Sequence, residues 1–195
     1  MPKKRVFIIH GWGEFPQAGW FPWIKKELEA KGFEVVIPQM PHALAPKINE
    51  WIIKIAEIVG APDKDTYFIG HSLGCQAIAR YLEALENGMT AGGAVFVAGF
   101  FKRISMFGDV LDVRDTVDVW LDTPIVLDDV KKHVQKSTAI FSDNDPIVPL
   151  DNQNDFRDKL GSRTIVIHHR GHYDFPTEII TAAPEILEEF LKITE

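Results

Sequence analysis

The chain has 195 residues, 46% of them hydrophobic and 25% charged, with 14 Gly and 12 Pro; this is ordinary globular usage and excludes disordered, collagen-like and coiled-coil classes. A mass of 22.0 kDa suits one domain over residues 1–195, with a folded surface of roughly 9,300 Å² and room for a sizeable core. Lys plus Arg numbers 21 against 28 acidic residues, a formal charge of −7, which opposes nucleic-acid binding, and the one cysteine, Cys75, excludes an internal disulfide.

The start, Met1-Pro2-Lys3-Lys4-Arg5, is basic, but the apolar run behind it is only Val6-Phe7-Ile8-Ile9. That is too short for a signal sequence or a membrane span, so no membrane association and a cytoplasmic location are expected. Short β-branched or aromatic runs then alternate with stretches of helical period. Strands are expected at Val6–Ile9, Phe33–Ile37, Tyr67–Ile69, Ala94–Ala98, Ala139–Phe141 and Thr164–Ile167, all apolar enough to be buried on both faces of a sheet. Helical faces run through Ile24 and Leu28 up to Gly32, through Ile48 to Val59, from Leu73 to Leu85 and from Ile179 to Leu191. Strand followed by helix, repeated, predicts an α/β fold: a three-layer α/β/α sandwich around a mainly parallel sheet of about six strands, with its site at the carboxyl ends of strands.

Gly70-His71-Ser72-Leu73-Gly74 sits where a strand ends and a helix begins. In a nucleophile elbow the turn is so sharp that glycines two residues either side of the serine relieve backbone crowding while Oγ stands above the sheet edge. The alternative is that Ser72 is an ordinary helix N-cap. A serine hydroxyl needs a base and an acid to orient that base. They are expected in the order Ser, Asp, His. Asp143-Asn144-Asp145-Pro146 follows the fifth strand, where the prolines fix the backbone beyond Asp145 and Asp143 reads as a turn cap. His168-His169-Arg170-Gly171-His172 follows the sixth, where His172 lies out in the loop. Ser72, His172 and Asp145 are therefore the expected catalytic residues. For the oxyanion hole, the Leu73 N–H follows the nucleophile, and His10-Gly11-Trp12-Gly13 can fold tightly enough to aim the Trp12 N–H inward.

These residues, with Trp20-Phe21-Pro22-Trp23 and Gly171-His172-Tyr173, resemble the α/β-hydrolase fold and, within it, the small serine hydrolases of the YdeN and retinoblastoma-binding-protein 9 type. The resemblance covers nearly the whole chain. It implies esterase-like activity without a cofactor or metal, on a small acyl ester, with Ser72 as nucleophile, His172 as base and Asp145 as the orienting acid. Two departures stand out: the first strand starts near residue 5 where many α/β-hydrolases have extra strands before it, so a trimmed sheet is expected, and the stretch between Ala98 and Ala139 leaves room for only a small lid, so an open site is expected. The Leu-x-Cys-x-Glu motif tied to partner binding in that group is missing, since Leu73-Gly74-Cys75 continues as Gln76-Ala77, and no protein partner is carried over.

Trp12, Trp20 and His71 are expected to contact substrate; for Trp12, Trp20, Phe21 and Trp23 the competing reading is that they anchor the first helix. Asp109, Asp112, Asp115 and Asp118 recur every third residue, but such steps spread over half a helix circumference and cannot converge on one cation, so they read as a solvated face or turn caps. Cys75 reads as a small packed hydrophobe. Rival functions are a binding protein that keeps the fold with vestigial chemistry, and an acyltransferase.

Overall fold

In a computed structural model, which describes residues 3–105, 111–174 and 179–195, six strands alternate with helices along the chain. The strands are β1 (Arg5–Ile9), β2 (Glu34–Val36), β3 (Thr66–His71), β4 (Gly93–Val97), β5 (Ser137–Ser142) and β6 (Arg163–Ile167), and the helices are α1 (Phe21–Ala30), α2 (Ile48–Val59), α3 (Leu73–Glu83), α4 (Leu111–Asp122), α5 (Leu127–Lys132) and α6 (Pro184–Thr194). All five pairings are parallel, in the order β2-β1-β3-β4-β5-β6. The sheet is thus fully rather than mainly parallel.

The two faces follow from strand periodicity. In β1, Phe7 and Ile9 pack with α2, α3 and α5, whereas Val6 and Ile8 pack with α1 and α6. Alternate residues of each strand thereby feed two separate cores. The surface area of 9179 Å² agrees with the size scaling above. Burial on both faces holds for the inner strands only, since Glu34 of β2 and Arg163 of β6 are exposed and the rest of β6 is half-buried. Edge strands have a neighbour on one side only, which leaves their ends open to water.

The helix expected from Ile179 begins instead at Pro184, with Ala183 extended at φ −133° and ψ 74°. Proline disfavours helical backbone in the residue before it and is at home in the first turn; Ile179 itself is exposed. The stretch beyond Ala98, in which only a small lid is expected, holds α4 and α5. Asp118 is an exposed residue of α4, while Asp109 and the side chains of Asp112 and Asp115 lie outside the described residues. No described helix is long and apolar enough to cross a membrane. Cys75 is fully buried, and burial pushes its thiol far above the usual range, which suits a packing residue.

The chain runs outward from β1 to β2 through α1 and returns to β3 through α2, which packs on the opposite face. The strand order therefore reverses between β1 and β3, the crevice where sites of open α/β sheets form. The loop after β1 and the turn after β3 meet there.

Candidate active site

Ser72 occupies the turn between β3 and α3 with φ 50° and ψ −117°, backbone that a non-glycine residue adopts only when its surroundings enforce it. The enforcement is visible at its neighbours. A Cβ on Gly74 would lie 2.1 Å from the Ile9 carbonyl oxygen, and one on Gly70 would lie 2.9 Å from the Cys75 nitrogen. Both glycines allow α3 to start hard against the sheet, and the Ser72 N–H is tied to the Val97 carbonyl at 2.9 Å. Although Ser72 stands at the N-cap position, its side chain makes no capping bond. Its Oγ lies 2.9 Å from His172 Nε2 instead.

His172 arrives from the loop after β6. Its Nδ1 lies 2.8 Å from Asp145 Oδ2, and because a carboxylate only accepts, Nδ1 carries the proton and Nε2 presents a lone pair to the serine hydroxyl. Asp145 is held by its other oxygen, which accepts the N–H groups of Ile147 and Val148 at 2.8 and 3.0 Å. Both side chains are almost wholly buried. Asp143, by contrast, caps the exposed neighbouring turn, accepting from His168 Nδ1 and the His169 N–H. The two loops are further joined through Asn144, whose Oδ1 accepts the Gly171 N–H, and through Ser142 Oγ, which accepts the Arg170 N–H. Ser72, His172 and Asp145 thus meet in a chain of hydrogen bonds, while His168 and His169 stay on the surface.

Around Oγ the donors sort themselves by elimination. The Gly11 N–H is bound by the Glu14 carboxylate and the Gly13 N–H by the Ala43 carbonyl at 2.8 Å. The Trp12 N–H, with no partner among the described residues, and the Leu73 N–H, in the first turn of α3 where helix donors are left over, both belong to residues lining the cavity at Ser72. His10, fully buried and pushed towards its neutral form by that burial, donates from Nδ1 to the Gly11 carbonyl at 2.8 Å and accepts the Met40 N–H at Nε2. One neutral tautomer satisfies both bonds, and the loop is pinned from below.

The cavity over Ser72 has a volume of about 430 Å³. Its walls are apolar: Trp12 and Phe15 from the loop after β1, Phe100 and Ile104 from the segment after β4, Val117 and Trp120 from α4, and Ile147 beside Asp145. Trp12 lines it, with its indole N–H on the Leu44 carbonyl. Trp20 is a correction: it is 1% exposed, absent from the cavity wall and packed on Phe21 and His71, because the chain turns inward there to start α1. Phe21 likewise packs in the core under α1, and the half-buried Trp23 packs against that core. His71 does border the cavity, but its Nδ1 lies 2.9 Å from either Glu14 oxygen and its Nε2 lies 2.8 Å from the His172 carbonyl. Neither nitrogen is left for a ligand.

Glu14 and Asp174 also border this cavity and carried no motif in sequence; an acid inside a glycine- and aromatic-rich loop was the one available sign for Glu14. Phe100, Ile104, Val117 and Trp120 could not be assigned to the site from sequence, since their stretch has no motif. Among the described residues, no cluster of His, Cys, Asp and Glu could hold a metal ion.

The profile of the family described as serine hydrolase matches residues 6–179. The Bacillus subtilis protein YdeN is 32% identical over 170 residues, covering 87% of this chain and 86% of its own, and the rat serine hydrolase RBBP9 is 25% identical over 174 residues, covering 88% of each. The crystal structure of YdeN superposes with a TM-score of 0.88 at 28% identity over 98% of both chains. The esterase RhEst1 from Rhodococcus superposes with a TM-score of 0.70 at 14% identity, covering 99% of this chain and 91% of its own, a likeness of fold alone.

Proposed function

Because this chain belongs to the serine hydrolase family, we propose that it is a carboxylesterase that cleaves small esters with an apolar acyl group through an acyl-enzyme on Ser72. The observation that carries this reading is the relay from Asp145 through His172 to Ser72 Oγ, with links of 2.8 and 2.9 Å, opening into an apolar cavity. His172 Nε2 takes the Ser72 proton as Oγ bonds to the ester carbonyl carbon, and the resulting imidazolium is stabilised by Asp145. The electron pair displaced onto the carbonyl oxygen is held by the N–H groups of Leu73 and Trp12, which act where charge develops. Collapse breaks the ester C–O bond, and the leaving alkoxide takes the proton from His172. Water then attacks the acyl-serine, giving its proton to His172, and the carboxylic acid leaves as Ser72 is regenerated. No cofactor enters these steps. A reducing, cytoplasmic compartment suits a chain whose single cysteine can form no internal disulfide.

A fluorophosphonate reacts quickly only with an activated serine, so stoichiometric labelling of the unmodified protein and none of Ser72→Ala is the expected result. With p-nitrophenyl esters, Ser72→Ala is expected to lower kcat about 10⁶-fold and Asp145→Asn about 10⁴-fold. Near-normal turnover by Ser72→Ala sinks the mechanism. Absence of labelling returns the chain to the binding-protein reading, and product diverted to an added alcohol returns it to acyl transfer.

A further inference from the structure

Behind the relay lies a second pair of ionisable groups that the reaction does not consume. Both ring nitrogens of His71 face groups that only accept: the Glu14 carboxylate at Nδ1 and the His172 backbone carbonyl at Nε2. A neutral imidazole carries one proton and satisfies one of them, and an imidazolium satisfies both. Glu14 in turn accepts the Gly11 N–H, in the loop that presents the Trp12 N–H. One charged pair therefore ties the oxyanion loop, the residue before the nucleophile and the backbone of the base. We propose that His71, held as an imidazolium by Glu14, is a positioning residue that keeps His172 and the Trp12 amide in register with Ser72, so that activity falls when His71 loses its proton. This rests on the esterase reading above.

The acceptors on this ring favour a charge, and burial opposes it. Facing His71 are the Glu14 and Asp174 carboxylates, the carbonyl and ring of His172, His10 from the end of β1, and the rings of Trp20 and Phe21, steeply inclined to it. Burial alone would favour neutral His71, but the charge and hydrogen bond of Glu14, the His172 carbonyl and Asp174 outweigh it and raise its pKa to about 9. Burial likewise opposes ionised Glu14, but the charge and hydrogen bond of His71, with the Gly11 N–H, hold it at about 2. A raised histidine pKa means the brace is complete below the ordinary value of 6.5 and is lost as pH rises through about 9. A lowered carboxyl pKa means the Glu14 side is complete above 4.5 and is lost as pH falls through about 2.

The test follows the rate of fluorophosphonate labelling of Ser72 against pH, beside the ¹⁵N chemical shifts of the His71 ring. In the unmodified protein the ring is expected doubly protonated at about pH 7, and labelling is expected to fall about tenfold from about pH 8 to about pH 10, at the midpoint at which the ring titrates. In Glu14→Gln, the amide NH₂ donates to a neutral His71 and its oxygen still accepts from Gly11, so the alkaline limb of the labelling profile disappears. Glu14→Ala breaks the ties and lowers labelling at every pH by more than about tenfold, a loss that Glu14→Gln rescues. A neutral His71 ring at pH 7, an alkaline limb that does not track its titration, or an unchanged limb in Glu14→Gln overturns the proposal. If a variant fails to fold, the first two readings on the unmodified protein decide. Failure to label Ser72 at any pH overturns the esterase reading instead, with the ring's charge still measured by its shifts.

Discussion

A methyl group at position 74 would overlap the Ile9 carbonyl oxygen at 2.1 Å, and the atom it would strike is backbone that no rotamer change moves aside. Gly74→Ala is therefore expected to destabilise the protein by about 1–3 kcal/mol or more, because α3 must lift from β1 to make room; a urea midpoint unchanged from the parent would contradict it. The same crowding explains why Gly70 and Gly74 flank Ser72, and this much of the site was legible at the residue scale. Steric need for glycine, the order of serine, acid and base, and the turn chemistry around Asp145 all leave local marks in sequence. Charge partners leave none. Glu14 is 57 positions from His71, and His71 is 101 from the carbonyl it binds, so their pairing had no local signal.

At the scale of elements, the wall of the cavity depends on how α4 ends. Arg80 of α3 is buried and donates to the carbonyls of Trp120 and Thr123 at 2.7 and 2.6 Å, filling the place of the acceptors left open at a helix C-terminus. Arg80→Met removes the donors, and a loss of about 1.5–3 kcal/mol is expected from charged hydrogen bonds of this kind. The KM for apolar esters should rise more than kcat falls, because Val117 and Trp120 line the cavity while the relay is untouched; a kcat loss larger than the KM rise would show that Arg80 serves the relay instead. The segment after β4 is fixed in the same manner, with Asn152 Oδ1 accepting from Phe101 and Lys102 and the Ser105 N–H reaching the Ile147 carbonyl. Strand and helix identities were legible from periodicity, yet their limits were not always so. Pro184 moved the start of α6, and the edge positions of β2 and β6 undid the expected burial, since both depend on neighbours that periodicity does not name.

Across the whole molecule, the reversal of strand order between β1 and β3 delivers the loop after β1 to the turn after β3, while the loops after β5 and β6 bring Asp145 and His172 to the same edge of the sheet. The cavity of about 430 Å³ lies over that edge, with α4 and the segment after β4 contributing part of its wall. Val117→Phe should shorten the preferred acyl chain, with kcat/KM for an octanoyl ester falling about tenfold or more relative to an acetyl ester; an unchanged ratio in a chain-length series would show that the acyl group lies elsewhere. By itself the sequence determined the alternation of strands and helices and the sharp turn at Ser72, and it singled out Asp145 and His172, which the fold joins to Ser72 by hydrogen bonds, because those signals follow from side-chain period and backbone sterics acting over a few residues. Only the tertiary structure decided that Trp20 belongs to the core, that His71 is engaged at both nitrogens, and which side chains wall the cavity. Those outcomes turn on contacts between segments far apart in the chain, whose distances are set by packing the two cores against one sheet.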